Sequence, residues 1–284
     1  GAVLYIPDNV EIKEPIEGIF YQDSDSDVPF NKHILIIAGK NSKISYLERL
    51  ESRGGGSAKA TANITVEVIA RSGAQVKFAA IDRLGENVTA YISRRGKLGN
   101  DASIDWAIGV MNEGNVVADF DSDLIGNGSH ADLKAVALSS GRQVQGIDTR
   151  VTNYGCNSIG NILQHGVILE KATLTFNGIG HIIKGAKGAD AQQESRVLML
   201  SDQARSDANP ILLIDENDVT AGHAASIGQV DPEDMYYLMS RGLDKATAER
   251  LVVRGFLGSV IVEIPVKEVR DEMIATIEEK LSKR

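Results

Sequence analysis

From about residue 60 to residue 230 the chain alternates apolar and polar residues with a period of two, the mark of a strand with one buried face. Ile64-Thr-Val-Glu-Val-Ile-Ala, Val76-Lys-Phe-Ala-Ala-Ile, Val88-Thr-Ala-Tyr-Ile-Ser, Ala102-Ser-Ile-Asp-Trp-Ala-Ile, Val116-Val-Ala-Asp-Phe-Asp, Ala131-Asp-Leu-Lys-Ala-Val-Ala-Leu and Ala172-Thr-Leu-Thr-Phe all follow it. Gly/Asn punctuation such as Met111-Asn-Glu-Gly-Asn and Ile125-Gly-Asn-Gly-Ser separates them and supplies the positive-φ residues that strand corners need. Strand starts recur at roughly a dozen residues, a spacing open to a sandwich, a barrel or a β-solenoid. The run is too long for an ordinary sandwich and holds no helical segment, which favours the solenoid. Only 5% of residues are aromatic while 28 are glycine, a composition suited to stacked coils that bury a narrow aliphatic stripe.

After residue 230 the period changes. Asp231 is a good N-cap, Pro232 suits the first helical position, and Glu233 and Asp234 favour the positive end of a helix that Gly242 stops. Asp244 caps a second helix carrying Ala246, Ala248, Leu251, Val252 and Phe256. Pro265 starts a third, with Val266, Val269, Met273, Ile274, Ile277 and Leu281 on one stripe. The expectation is a mainly β chain with a β-solenoid core over residues 1–230 and a small C-terminal helical domain over residues 231–284. Leu50-Glu-Ser-Arg-Gly-Gly-Gly-Ser57 reads as a mobile loop tip. The chain opens on the strand-like Ala2-Val-Leu-Tyr-Ile, which reads as the start of a truncated piece.

The net charge of −9 argues against a nucleic-acid groove. One cysteine, Cys156, excludes an intrachain disulfide and makes a cytoplasmic setting the default. No apolar run approaches the length that spans a bilayer. The G-x-S-x-G elbow and the G-x-x-x-x-G-K-[ST] phosphate loop are both absent, and Gly178-Ile-Gly180 lacks the rest of a dinucleotide fingerprint. Lys184-Gly-Ala-Lys-Gly188 reads as a solvated turn. His33, His130, His165 and His181 have no Cys or His at ligand spacing and read as satisfied histidines. Asp119, Asp121 and Asp123 project from one face of a strand. That leaves a carbohydrate-active solenoid enzyme as an alternative, against the plainer reading of a solvated acidic face.

The most informative segment is Asp218-Val-Thr-Ala-Gly-His-Ala-Ala-Ser-Ile-Gly-Gln229, which sets His223 among small residues. A neutral imidazole is a borderline-soft metal ligand, but one histidine cannot hold an iron–sulfur cluster. From the residues alone a structural histidine remains the plainer reading. The text from Asn209-Pro-Ile-Leu-Leu-Ile through Tyr237-Leu-Met-Ser-Arg-Gly-Leu243, with Arg254-Gly-Phe, resembles the SufB/SufD family of the SUF iron–sulfur cluster assembly system. Gly222-His-Ala-Ala stands where SufB members typically read Glu-His-Glu-Ala, and Ala221 stands where many members of the other branch carry Cys.

The resemblance implies a right-handed parallel β-helix followed by helices, in a non-catalytic scaffold subunit. It further implies pairing with a SufB-like subunit and with a SufC-like ATPase. His223 would be a metal ligand shared with the partner chain. The chain alone would bind no cofactor tightly, a transient iron–sulfur cluster forming only at the interface. Met235, Tyr236, Tyr237, Leu238 and Arg241 would bind the ATPase, and the plainer alternative packs Met235, Tyr236 and Leu238 on the solenoid end. A purely structural role and a homodimer of the isolated chain also stay open.

Overall fold

The computed structural model describes residues 1–262 and 267–282. The strands are β1 (Ala2–Ile6), β2 (Ile16–Asp23), β3 (Phe30–Ala38), β4 (Lys43–Arg53), β5 (Ala60–Ala70), β6 (Gln75–Arg83), β7 (Val88–Leu98) and β8 (Ser103–Val110). They continue as β9 (Val116–Leu124), β10 (His130–Ser139), β11 (Val144–Asn153), β12 (Ile159–Ile168), β13 (Thr173–Ile182), β14 (Asp190–Met199), β15 (Arg205–Ile214) and β16 (Thr220–Gln229). Odd-numbered strands form one parallel sheet in order β1 to β15, and even-numbered strands a second in order β2 to β16. Each coil is therefore one odd and one even strand, and the chain makes an eight-coil β-solenoid, as the alternation predicts. Register partners lie 26 to 32 residues apart, from Ala90 with Val116 to Thr173 with Arg205.

Parallel stacking in register puts the same face of every strand inward. Along β5, Ala60, Ala62, Ile64, Val66, Val68 and Ala70 are buried while residues between them are half-buried or exposed. Large rings are used once as a column: Tyr46, Phe78 and Trp106 are register partners in β4, β6 and β8, with centroids 5.4 and 4.8 Å apart. Corners are turned by left-handed residues. Gly73 has φ +70°, and a Cβ on it would meet the side-chain oxygen of Asn41 in the coil before at 2.2 Å.

Charge also enters this core. Lys32 and Glu48 pair, and Arg94 grips Asp82 with two nitrogens at 2.9 and 2.6 Å while reaching Glu48 at 2.9 Å. All four are buried, so two cations and two carboxylates balance inside the early coils. Burial alone would depress the Arg94 guanidinium, but Asp82 and Glu48 outweigh it and raise its pKa. Burial pulls the Lys32 ammonium below the usual lysine range against the attraction of Glu48.

Three helices follow: α1 (Pro232–Ser240), α2 (Lys245–Ile261) and α3 (Lys267–Ser282). Asp231 caps α1 by accepting from the Glu233 amide at 2.8 Å, Asp244 caps α2 by accepting from the Thr247 amide at 2.7 Å, and Gly242 after α1 has φ +93°. Helices α2 and α3 turn back and pack on the outer face of the even sheet. There Val253, Leu257, Val260, Val269, Met273 and Ile277 share a core with Ala79, Ile81, Ala107, Val136, Leu138 and Val167. Met273 rests over Gly109, where a Cβ would stand 2.9 Å from its terminal methyl. The Lys280 ammonium donates to the Met111, Asn112 and Leu138 carbonyls at 3.0, 2.7 and 3.3 Å. Arg49 reaches Glu272 and Arg83 reaches Glu279, both at 2.7 Å.

His165 lies under α2. Its ring stacks on Phe256 at 5.0 Å, its Nε2 meets Glu194 at 3.1 Å, and its Nδ1 faces the Phe256 carbonyl at 3.4 Å. Burial holds its pKa below the usual histidine value, against Glu194 and the Phe256 carbonyl, with Arg196 adding to the lowering.

One expectation needs correction. The segment from Leu50 is not a loop tip until Gly54: β4 runs to Arg53 and Leu50 is fully buried, because it occupies an inward position of the alternation. Leu251 and Ala246 are exposed while Val253 and Leu257 are buried, because α2 is apolar on more than one side and the sheet selects the face. Pro265 and Val266 lie outside the described residues, whereas Val269, Met273, Ile277 and Leu281 form the buried side of α3. No helix among the described residues is long and apolar enough to cross a membrane.

Replacing Arg94 by Met leaves Asp82 uncompensated and Glu48 short of a donor, and is expected to cost about 3–5 kcal/mol in a urea titration. Exchanging all four charges for apolar residues of similar volume is expected to come out near neutral. For His165 the folded pKa is depressed, so its contribution is complete above the ordinary value of about 6.5 and is lost as pH falls through the folded value. Thermal melts between pH 7 and 5 are expected to show this loss, and His165→Gln to flatten it.

Candidate functional site

The last coil is where the stack stops, so β15 and β16 each pair on one side only. Burial falls away with them: apart from half-buried Gly222, every residue of β16 is exposed. Ile211, Leu213 and Ile214 of β15 and Ile227 of β16 are exposed as well. Open strand edges with apolar side chains invite pairing with another chain.

His223 stands in register with Gln193, which faces inward and is buried. Register partners in a parallel sheet share a face, so the imidazole belongs to the interior face at the open mouth of the solenoid. A cleft of about 460 Å³ is lined by Gln193, Gly222, His223 and Ala224 together with Asn161 and Glu194. The other four histidines each have a carboxylate: His33 with Glu67 at 2.8 Å, His130 with Asp132 at 2.9 Å, His165 with Glu194 at 3.1 Å and His181 with Asp215 at 3.2 Å. Among the described residues the His223 imidazole makes no hydrogen bond or ion pair.

Small neighbours make that isolation possible. Ala221, Ala224 and Ala225 present only methyl groups, so nothing screens the ring nitrogens and nothing local joins them at a metal. No group of three or more His, Cys, Asp or Glu among the described residues could hold a metal ion. Cys156 lies in a distant corner, its thiol 3.4 Å from the Gly185 carbonyl. The site can therefore offer one imidazole nitrogen, and a complete coordination shell needs ligands from another molecule.

Two residues beyond β16, α1 stands out from the body and buries none of its residues. Tyr236 is 76% exposed and Tyr237 57%. The Arg241 guanidinium sits 5.1 Å from the Tyr237 ring centre and donates to its hydroxyl at 3.2 Å, which stiffens an exposed aromatic–cation pair. Met235 and Leu238 are half-buried, and Met235 with Met239 lines a cleft of about 490 Å³ against Met199, Leu200 and Gln229. One side of α1 thus leans on the solenoid end and the other faces solvent.

Asp119, Asp121 and Asp123 do share the outer face of β9, as their spacing predicts, but Arg95 holds Asp121 at 2.9 Å. Burial, then the charge of Asp121, raises the Asp119 pKa, and burial raises that of Asp123. This is a charge-paired stripe on a sheet face, without a groove around it among the described cavities. Sequence reading missed the buried Gln164 and Gln193 behind His223. Their signal is a polar residue at an inward position of the alternation.

Residues 20–256 match the family model described as SUF system FeS cluster assembly, SufBD core domain. The chain is 46% identical over 282 residues to the iron–sulfur cluster assembly protein SufD of Bacillus subtilis (strain 168), covering 99% of this chain and 64% of that protein. Identity is 25% over 267 residues to an iron–sulfur cluster assembly SufBD family protein of Staphylococcus epidermidis, covering 94% and 57%. It is 28% over 269 residues to a SufBD family protein of Mycobacterium leprae, covering 94% and 30%. The chain thus spans less than two thirds of the length of these relatives.

Exposure and isolation of the ring give a direct expectation. Diethyl pyrocarbonate is expected to modify His223 well before His165, read by peptide mass spectrometry; equal rates would contradict an open mouth.

Proposed function

The chain belongs to the SufB/SufD family of the SUF iron–sulfur cluster assembly system, and we propose that it works there as a non-catalytic scaffold subunit completed by partners. In this reading the open edge of β15 and β16 receives a SufB-like subunit. The partner supplies the thiolates, and His223 contributes one nitrogen to a cluster that is cargo at the interface. The observation that carries the reading is the single unpaired imidazole among the described histidines, on a rung paired on one side only, among methyl groups that leave it reachable. Four satisfied histidines elsewhere make the contrast informative.

Helix α1 gives the second contact. Its exposed Tyr236, Tyr237 and Arg241 suit a protein surface, since aromatic and arginine side chains dominate interface energetics. A SufC-like ATPase is the proposed occupant. Closure of such an ATPase would pull on α1, and through Asp231 and Val230 on the end of β16. The Val230 amide reaches β14 through a long bond to the Met199 carbonyl at 3.4 Å. A cytoplasmic location is part of the same proposal.

Reconstitution with SufB-like and SufC-like subunits tests both contacts. His223→Ala is expected to leave the complex assembled but lower the cluster formed by at least tenfold, read by absorbance and by transfer to an apo-acceptor. Unchanged cluster formation would sink the ligand role. Tyr237→Ala with Arg241→Ala is expected to weaken ATPase binding by about 2 kcal/mol or more, a hot-spot magnitude. Unaltered affinity in titration calorimetry would move the docking surface elsewhere.

A further inference from the structure

Behind His223 the interior of the solenoid turns polar. Thr149 of β11, Gln164 of β12, and Gln193 and Ser195 of β14 all face inward and are buried. The Ser195 hydroxyl donates to Gln164 Oε1 at 2.7 Å, Gln193 Nε2 to the Ile211 carbonyl at 3.0 Å, and the Thr149 hydroxyl to the Asn177 carbonyl at 3.3 Å. Two atoms stay without a protein partner and out of solvent: the donor Gln164 Nε2 and the acceptor Gln193 Oε1. Between them on β13 is Gly178. A Cβ there would stand 2.6 Å from Gln193 Oε1 and 3.4 Å from Gln164 Oε1, so both amides lean over a residue with no side chain.

A buried amide atom left unpaired costs about 1–3 kcal/mol, and such groups in native proteins are met by protein or by ordered water. One donor and one acceptor on adjacent rungs, from two amides that both lie against Gly178, call for a ligand that both accepts and donates. The inward positions of β11 to β14 carry no charged side chain, which disfavours an ion of either sign. Water satisfies the chemistry, and it can enter at the mouth beside His223, one rung of about 4.8 Å from Gln193.

We propose that Gln164, Gln193, Ser195 and Gly178 form an internal water site, and that this water links the buried amides to the imidazole of His223. Gln193 and Gln164 then act as positioning residues. A hydrogen bond on the inward ring nitrogen selects the tautomer and leaves the other nitrogen facing outward. The site belongs to the chain by itself, so it stands or falls apart from the assembly role.

The test is NMR of the whole chain with labelled glutamine side-chain amides and histidine rings, for wild type, Gln164→Met, Gln193→Met and Gly178→Ala. The expected result is slowly exchanging water cross-relaxation at Gln164 Nε2 in the wild type and its loss in Gly178→Ala. His223 ring-nitrogen shifts are expected to move in Gln193→Met while those of His33 stay fixed. No water contact at Gln164 in the wild type overturns the site. Water contact with unmoved His223 shifts in every variant overturns the link to the imidazole. If a Met variant fails to fold, the wild-type measurement and Gly178→Ala decide.

Discussion

Everything in this molecule depends on the hydrogen-bond ladder between a strand and the strands one coil before and after it. Because pairing is parallel and in register, a residue type chosen for one coil meets its own position in the next. Aliphatic residues make aliphatic columns, and Tyr46, Phe78 and Trp106 make an aromatic one. Charge follows the same rule: Arg94 cannot sit inside alone, so Asp82 and Glu48 are set within its reach from the facing even strands. The ladder leaves an unavoidable remainder at each end, since a stack of finite length ends in strands paired on one side only, and β15 and β16 are the later of the two.

The site lies on that remainder. His223 is distinguished less by what surrounds it than by what does not. The same imidazole one coil earlier, at Gln193, would be buried and would need a partner, as His165 does beneath α2. Placement on the last rung gives it the interior orientation without the interior's enclosure. Together with the small residues on either side, this produces a ring held by its backbone, with no protein partner at either nitrogen among the described residues.

Much of the architecture was legible in the chain because the period-two pattern is a direct trace of burial in a sheet. Where it failed, a physical reason is visible. Leu50 was read with the glycines that follow it, although it continues the inward phase of Ile44, Tyr46 and Glu48. The buried face of α2 was not legible, because Leu251, Val252, Val253, Phe256 and Leu257 offer apolar surface on several sides, and only the sheet decides among them. His223 could be singled out from its neighbours' smallness, but not its rung, since register is a property of coils the sequence does not print. The buried glutamines were legible in principle: Gln164 and Gln193 interrupt an apolar phase, as Glu48 and Arg94 do earlier.

A solenoid whose coils touch only their neighbours can peel from either end, each coil melting without consulting the rest. Here α3 alters that. It lies along the flank with Glu272 on Arg49 of β4, Glu279 on Arg83 of β6, and its Lys280 ammonium on two carbonyls of the corner after β8 and on the Leu138 carbonyl of β10. The final helix thus stitches together coils that are far from one another in the chain, and a one-dimensional stack acquires a seam. Fraying at the early coils would have to tear that seam, whereas the exposed last coil, beyond the α3 contacts, can change shape without doing so.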